Sequence, residues 1–558
     1  MKSKKIVAGV VASFMAVSLL SGCTGGGDKN NDTAKTQTAG AKPNEIKTYT
    51  MYVGDTNYPP TDFSETPIGK KVTELTGVKL KIEYITGNEQ STKAGVMIAS
   101  GDYPDLIHPH NQTAKFLEAG AFVPIEGYIE KLGENTKKWY KGQLNKLKQT
   151  DGHTYYLSDS RETPEVLYPN AGFWLPIAVL KDAGYPKVTT FEKYVEIIRN
   201  YVKKNPEYNG KPTIGFTAIT DGWRFFTLRN APGMLMGNPN DGDFAYVDRT
   251  DYTSKTFANN EFAKKYYKTL NELWHEGLVD KEMFTQNYDQ YVAKISQGRV
   301  IGFYDQRWQF LQGIQALEKQ NQTDRVHIGM PVVFDGVKTE AYMEPIAMDQ
   351  TKGIAISKNC KDPEGAFKFL DSLLREDALK LMKWGIEGVD YTMKDGKMTK
   401  SLEQFKQMEE REYQVKQGIS VNYFPRPARG ADVKFSDGTP IDPRDTKEYL
   451  ETKYKDYEKE ILKAYKINSF VDLFNAPIKS PIGKAYSVTI PSGSPAAVAK
   501  TKIDDEHKRL LPKMITGPKD QFEANWKEFV SAIEKIDMAA YNKARTDAYQ
   551  QRLKDWKE

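Results

Sequence analysis

Residues 45–54 read EIKTYTMYVG, an alternation of apolar and polar residues that predicts a β-strand. The segment at 66–77, TPIGKKVTELTG, has helical spacing and closes on a glycine, a frequent helix terminator. A second alternating strand, VKLKIEYITG, follows at 78–87, and DYPDLIHPH at 102–110 predicts a short buried strand with a polar exit. Strand–helix–strand repetition of this kind favours an α/β fold with a largely parallel sheet.

The start of the chain has the parts of an export signal. Three lysines lie within the first five residues, residues 6–20 are mostly apolar, and Leu-Ser-Gly at 20–22 precedes Cys23. The segment resembles a bacterial lipoprotein signal, in which the cysteine thiol is acylated, for example by palmitate, and becomes the new N-terminus. An ordinary secretory signal and a short membrane anchor are the alternatives. The apolar run is shorter than the roughly 20 residues of a spanning helix, which weakens the anchor reading.

The two cysteines have different surroundings. Cys23 is followed at 24–47 by a polar stretch without aromatic residues, which predicts a flexible tether between a membrane and a folded body. Cys360 lies too far along the chain to suggest a disulfide with it, and we expect a buried thiol that packs as a small hydrophobe.

The bulk composition limits the class of protein. The chain has 558 residues, and about 510 remain after the tether, which predicts two or more domains. The formal charge is +5, and loss of the three signal lysines leaves +2, which gives no case for a nucleic-acid partner. Aromatic residues make up 12% of the chain, including 8 tryptophans, so some of them are candidates to face a ligand.

Two regions near the end have strong helical patterns. At 359–385, Asp362 is a candidate cap, Pro363 fits the first turn, and leucines and a phenylalanine form one face. At 522–556, Trp526, Phe529 and Ile533 lie on one stripe, which we interpret as core packing.

The sequence carries none of the usual enzyme signatures. It has no glycine-rich phosphate loop, no Gly-x-Ser-x-Gly elbow and no His-Glu-x-x-His pair. The six histidines are scattered, and the only close pair, His108 and His110, flanks a proline. A carboxylate pair for glycoside hydrolysis stays possible among 74 acidic residues, although no motif points to one. We expect no catalytic residues, no metal and no cofactor.

A series of segments along the chain resembles one known family. The segments are SGDYPDLI (100–107), AFVPIEGYIEK (121–131), DGHTYYLSDS (151–160), FWLPIAVLKDAGYPKVTTFEKYVEII (173–198), KISQGRVIGFYDQRW (294–308), GIAISKNCKDPEGAFKFLDSL (353–373) and WGIEGVDYT (384–392). In this order they are similar to the extracellular solute-binding proteins of carbohydrate ABC importers. The similarity is to the large oligosaccharide-binding lipoprotein branch, which includes alginate-oligosaccharide binders.

The resemblance implies an α/β two-lobe fold of the periplasmic-binding-protein type, with a ligand cleft between the lobes. After a signal peptide at 1–23 and the tether at 24–47, lobe 1 is expected at 48–160 and lobe 2 at 161–350. The chain would return to lobe 1 at 351–383, and residues 384–558 would form more of lobe 2 and the C-terminal helices. Crossings are expected near 155–165, 346–353 and 384–388.

The implied cleft directs attention to residues that can hold a sugar. A flat indole covers the apolar face of a sugar ring, and charged or amide groups bind its hydroxyls. YDQRW at 304–308, DGWRFF at 221–226 and WGIEG at 384–388 combine these types. The candidate ligand-binding residues are Trp308, Arg307, Asp305, Tyr304, Trp384, Glu387, Trp223, Arg224, Asn57, Tyr58, Asp62, His110, Asn111 and Trp174.

One stretch departs from the family pattern. Many members carry a calcium loop where this chain has KNPEYNGKPTIGFT (204–217), in which Lys211-Pro212-Thr213 replaces the final acidic pair. Calcium prefers several carboxylate oxygens, usually with a bidentate one that closes the loop. We therefore predict no tight calcium binding.

The interpretation that follows is a lipid-anchored binding subunit on the extracellular face of the membrane. It would capture an oligosaccharide, deliver it to the permease subunits of an ABC transporter as a monomer, and catalyse nothing. The alternatives are a lipid-anchored glycoside hydrolase, or another polysaccharide-processing enzyme, and a peptide-binding importer subunit.

Overall fold

Two sheets organise the computed structural model, which describes residues 46–54, 62–85, 89–149, 151–158, 167–347, 353–419 and 434–556. Cys23, Asn57 and Tyr58 lie outside these residues. The strands are β1 Lys47–Val53, β2 Val78–Tyr84, β3 Leu106–His108, β4 Tyr156–Ser158, β5 Ala171–Pro176, β6 Glu207–Tyr208, β7 Lys211–Pro212, β8 Ile214–Phe216, β9 Ala245–Val247, β10 Ser254–Thr256, β11 Val300–Gln306, β12 His327–Met330, β13 Gly353–Ile356, β14 Thr392–Lys394 and β15 Lys397–Thr399.

Helices cover the faces of both sheets. They are α1 Pro67–Thr76, α2 Gln90–Ser100, α3 Thr113–Glu118, α4 Glu126–Leu132, α5 Glu134–Trp139, α6 Ile177–Asp182, α7 Phe191–Lys204, α8 Phe226–Arg229, α9 Ala231–Leu235, α10 Glu261–His275, α11 Tyr288–Ser296, α12 Arg307–Lys319, α13 Pro363–Ser372, α14 Glu376–Trp384, α15 Leu402–Glu409, α16 Arg411–Gln417, α17 Lys447–Thr452, α18 Asp456–Tyr465, α19 Pro495–Thr516, α20 Phe522–Glu534 and α21 Met538–Asp555. The α/β class predicted from the sequence is confirmed.

The first sheet has the order β2-β1-β3-β13-β4, and the second has the order β12-β5-β11-β8. In the first, β1 is parallel to β2 and β3, and only β13 runs against its neighbours. In the second, β5 runs against β11 and β12, whereas β11 and β8 are parallel. Each sheet is therefore mixed, with one strand that runs against all the others.

Local sequence signals explain the ends of the first helix. The backbone N–H of Gly69 donates to Thr66 Oγ1 at 3.1 Å, which satisfies an otherwise unpaired amide at the start of α1. Pro67 occupies the first turn, and Gly77 ends the helix with a φ of 69°, a conformation that glycine adopts at little cost. Asp362 caps α13 in the same way through the N–H of Gly365.

The helical region predicted at 359–385 is divided into α13 and α14. The backbone of Arg375 is extended, with φ −66° and ψ 149°, so the first helix cannot continue through it. Leu373 and Leu374, just before this break, are buried in the first core. Both helices contribute side chains to the first core.

The two main cores show which segments belong together. Side chains from 49–157 and 354–441 pack around the first sheet, and side chains from 171–343 and 454–541 pack around the second. We call these regions the first and second lobes. Trp526, Phe529 and Ile533 belong to the second core, so the C-terminal stripe is core packing, as predicted.

The expected crossing near 384–388 is wrong. Trp384, Met398, Ile419 and Ile441 all pack in the first core, and Tyr454 is the next residue of the second core. The chain therefore leaves the first lobe after residue 441. The local pattern at 384–388 does not predict that these residues stay in the first lobe, because the residues they pack against are distant in sequence.

Cys360 is buried and free, and burial raises the pKa of its thiol to about 11. A thiol with such a pKa is protonated at neutral pH and is a poor nucleophile. The prediction that Cys360 is buried is confirmed, and its lack of reactivity stays a prediction.

Candidate ligand-binding cleft

A cleft of about 2750 Å³ is lined by residues of both lobes. The first lobe contributes Asp62, Glu65, His110 and Asn111, together with side chains of α15 and α16. The second lobe contributes residues that follow β8 and β11, together with parts of α12, α18 and α19. The volume exceeds the 300–1,000 Å³ that is usual for a small-molecule site, so the cleft has room for a ligand of several rings.

The cleft contains two tryptophans whose rings are stacked. Since β8 and β11 are parallel neighbours, their carboxyl ends lie at the same edge of the second sheet. Trp308 is the second residue of α12, directly after β11, and Trp223 lies in the short turn Gly222–Phe225, after β8. Their ring centroids are 5.9 Å apart and their planes differ by 15°. Both line the cleft, with 46% of Trp308 and 37% of Trp223 exposed.

Phe226 extends this arrangement. Its ring centroid is 6.0 Å from that of Trp223, the planes differ by 19°, and the side chain also lines the cleft. We call Trp223, Phe226 and Trp308 the aromatic platform. Two exposed tryptophans within one near-parallel aromatic group are unusual on a protein surface without a binding role.

Arg224 packs against Trp223 of the aromatic platform. Its guanidinium carbon is 4.6 Å from the ring centroid of Trp223 and 4.2 Å from that of Tyr288, the geometry of a cation–π contact. Burial lowers the pKa of this guanidinium. The side chain is enclosed and does not line the cleft. Arg307 is also outside the lining, with its guanidinium carbon 3.8 Å above the ring of Tyr168.

Asp305 is buried, which corrects its expected role as a ligand contact. Tyr291 Oη donates to its carboxylate at 2.7 Å, and so does the backbone N–H of Gln306, also at 2.7 Å. Burial raises the pKa of Asp305 to about 7, although these hydrogen bonds oppose the shift. The carboxylate fixes the end of β11 and cannot reach a ligand in the cleft.

Tyr304 and Trp174 are likewise core residues. The ring of Tyr304 packs 5.4 Å from that of Phe173, and Trp174 packs 4.8 Å from Phe310. The indole Nε1 of Trp174 donates to the carbonyl of Asp305 at 2.9 Å. Both side chains are buried, so their expected contact with ligand is wrong.

Trp384 is buried in the first core, which corrects its expected place in the cleft. Its Nε1 donates to the carbonyl of Pro440 at 3.0 Å, and Lys400 Nζ donates to the Trp384 carbonyl at 2.9 Å. An enclosed indole offers no face to a ligand. Glu387 is exposed but does not line the cleft.

The first lobe brings three of the expected residues to the cleft. Asp62, His110 and Asn111 line it opposite the second lobe. His110 and Asn111 follow β3, at the carboxyl edge of the first sheet, which is where an open α/β sheet places a ligand. Their roles toward a ligand stay predictions.

Several lining residues were not among the candidates. Leu402, Phe405, Lys406 and Gln414 belong to α15 and α16, which form a wall of the cleft from the first lobe. Residues 384–558 are expected in lobe 2 from the sequence, so no feature of the sequence places these helices on the first-lobe side of the cleft. Gln306 lies inside the quoted YDQRW segment, and its place at the end of a strand was the signal that could have identified it.

The stretch compared with a calcium loop forms a β-hairpin. Strands β6 and β7 pair, and Asn209 and Gly210, both with positive φ, make the two-residue turn. In the described part of the chain, no group of three or more acidic, histidine or cysteine side chains converges as metal ligands would. Weak or absent calcium binding stays a prediction.

None of the helices in the described residues is both long enough and apolar enough to span a membrane.

The family description "bacterial extracellular solute-binding protein" matches residues 61–380, more than half of the chain. The protein therefore belongs to this family. The class implied by the sequence resemblance is confirmed.

Curated relatives include lipoprotein LipO of Bacillus subtilis (strain 168), which is 21% identical over 362 residues. The match covers 62% of this chain and 68% of LipO. Another relative is the fructooligosaccharide ABC transporter substrate-binding protein FusA of Streptococcus pneumoniae, 25% identical over 276 residues. That match covers 45% of this chain and 48% of FusA, so it spans about half of the relative.

Solved structures show the same fold. The S. pneumoniae protein FusA in complex with kestose matches with a TM-score of 0.65 at 18% identity, covering 90% of this chain and 99% of FusA. Alginate-binding protein AlgQ2 without calcium ion matches with a TM-score of 0.62 at 17% identity, covering 91% and 99%. These likenesses confirm the two-lobe solute-binding fold.

Proposed function

We propose that this protein is the substrate-binding subunit of an ABC importer for an oligosaccharide. It captures the sugar in the cleft between its lobes, passes it unchanged to the permease subunits, and works as a monomer held on the extracellular face of the membrane by lipid on Cys23. The family supports solute binding, and relatives named for fructooligosaccharide and alginate support a sugar.

The observation that carries the proposal is the aromatic platform. Its three rings are near-parallel, stack one on the next and line a large cleft. A sugar ring has an apolar C–H face of similar area, and stacking removes both surfaces from water. Several successive rings suit a ligand of several sugar units, whereas a peptide has no comparable repeat of flat faces.

The opposing wall supports capture by closure. Asp62, His110 and Asn111 in the first lobe lie across the cleft from the platform, and hydroxyl-binding groups on one lobe with stacking groups on the other favour a closed, liganded form. On saturation with ligand, small-angle scattering should give a smaller radius of gyration.

The decisive experiment measures binding and turnover together. A thermal-shift screen over kestose, alginate oligosaccharides, Man5GlcNAc and fragments of plant polysaccharides should raise the melting temperature with at least one glycan. Chromatography of that glycan after incubation should recover it intact. Cleavage would indicate a glycoside hydrolase, and stabilisation by peptides alone would contradict a sugar ligand.

The anchor is tested separately with Cys23→Ser. The variant should leave the membrane fraction of cells while its affinity for the sugar stays the same, because the tether is distant in sequence from the cleft residues. A variant that remained in the membrane fraction would contradict lipidation at this cysteine.

A further inference from the structure

Two amide side chains on the cleft lining have polar atoms that the folded chain does not use. Gln306 is 5% exposed, and its Nε2 has no hydrogen-bond partner among the described residues. Asn230 is 6% exposed, and within the same described ranges its Oδ1 also lacks a partner. One atom is a donor and the other is an acceptor.

Hydrogen bonds and strand pairing hold both residues in place on the cleft lining. Gln306 is the last residue of β11, where it pairs with Ala171, and its N–H donates to the buried carboxylate of Asp305. Asn230 follows α8, which packs against β11, and its Nδ2 donates to Asn240 Oδ1 at 3.1 Å. Both amides therefore stand on ordered parts of the second lobe.

Two buried amide atoms without hydrogen-bond partners lower the stability of the fold unless another molecule supplies the hydrogen bonds. A buried polar atom without a partner costs about 1–3 kcal/mol of stability. An apolar side chain of the same size would avoid this cost, and a ligand in the cleft would supply the missing partners. Gln306 is two residues from Trp308, and both side chains line the cleft.

The two amides offer one unused donor and one unused acceptor on the lining of the same cleft. A hydroxyl both donates and accepts one or more hydrogen bonds, whereas a carboxylate only accepts and an ammonium only donates. We propose, on the basis of the function proposed above, that Gln306 and Asn230 determine specificity by hydrogen-bonding free hydroxyls of the sugar beside the platform. Ligands whose hydroxyls there are removed or methylated are rejected, because they leave the amides unpaired in the complex.

The test uses Gln306→Met, which keeps the length of the side chain but removes its hydrogen-bonding atoms. The control is Gln320→Met, at the far end of α12, where the amide is exposed and outside the cleft. Affinities of the full-length lipid-free protein are measured for every member of the glycan panel that binds the wild type. We expect Gln306→Met to bind at least 10-fold more weakly and Gln320→Met to bind within twofold of the wild type.

A second variant and a ligand-free measurement separate binding from folding. Gln306→Glu keeps the shape, and at a pH at which its carboxyl is ionised it offers acceptors only, so it too should lose at least 10-fold in affinity. Without ligand, Gln306→Met should melt at or above the wild-type temperature, because it removes an unpaired polar atom. A large fall in melting temperature would mean that the amide has a structural partner and would overturn the inference.

The outcomes distinguish this inference from the proposed function. If no glycan of the panel stabilises or binds the wild type, the function fails and the inference fails with it. If the wild type binds a glycan and Gln306→Met binds it less than 10-fold more weakly, the inference alone is overturned. A selective loss in both Gln306 variants supports it.

Discussion

Trp308 and Trp384 have similar neighbours in the sequence, but in the fold one is exposed and the other is buried. Each stands near a charged residue and close to a glycine or a strand end, yet Trp308 lines the cleft and Trp384 is enclosed in the first core. Trp308 begins a helix at the carboxyl edge of a sheet, whereas Trp384 ends α14 and packs inward. The difference teaches that position relative to the sheet, rather than neighbouring residue types, decides which indole meets a ligand.

The glycine beside Trp384 has a backbone role. Gly385 has a φ of 91°, and a Cβ at this position would clash with the carboxyl of Asp390. A glycine next to a tryptophan therefore did not mark a ligand-facing loop here. It marks a tight turn that holds the indole in place.

The largest effect is expected for Trp384→Ala. Removal of a fully buried indole leaves a cavity and should lower the free energy of unfolding by about 3–5 kcal/mol. Chemical denaturation measures this change, and affinity for the sugar should stay close to that of the wild type. Trp384→Phe, which fills part of the space, should lose less stability. A near-native Trp384→Ala with weakened binding would return this residue to the ligand site.

Burial of Asp305, close to Trp308, should make the free energy of unfolding depend on pH. Its pKa rises from 3.8 in the unfolded chain to about 7 in the folded protein. The folded protein therefore holds more protons between these values, and this stabilisation is complete below about pH 4 and is lost as the pH rises to about 7. The slope is about 1.4 kcal/mol per pH unit.

Comparison of the wild type with Asp305→Asn between pH 4.5 and 7 isolates this contribution. The free energy of unfolding of the wild type should fall relative to that of the variant as the pH rises. Asp547→Asn, at an exposed position, is the control and should follow the wild type. Parallel curves for the wild type and Asp305→Asn would contradict the burial of this carboxyl.

Trp308→Ala should have the opposite profile to Trp384→Ala. Loss of a stacking ring should cost about 1–3 kcal/mol of binding free energy, while the free energy of unfolding stays close to that of the wild type. Calorimetric titration and thermal unfolding together measure both quantities. Trp308→Phe retains a flat ring and should lose less affinity. Intact affinity with a large loss of stability would place Trp308 among the structural residues.

The smallest effect is expected for Trp223→Leu. This change keeps an apolar side chain but removes the stacked contact with Trp308, and aromatic pairs of this kind contribute about 0.5–1.5 kcal/mol. The leucine still covers apolar surface of the sugar, so the affinity should fall by about that amount, because Trp308 is then less firmly oriented. In the double variant with Trp308→Ala, the two losses should be less than additive. Strict additivity would mean that the rings act independently.

The sequence by itself determined the features that depend on neighbours in the chain. Alternation predicted β1 and β2, Thr66 and Gly77 bounded α1, Asp362 capped α13, and ordered segments identified the family. Such signals are local because strand alternation, capping hydrogen bonds and glycine turns involve residues a few positions apart.

Only the tertiary structure decided which side chains reach the cleft. Asp305 and Trp308 are three residues apart, yet one is buried beneath the strand end and the other is exposed beside the platform. The wall formed by α15 and α16 depends on the passage of residues 384–441 through the first core, far in sequence from β1. Burial and cleft geometry arise from contacts across hundreds of residues, and no short segment of sequence contains the information that fixes them.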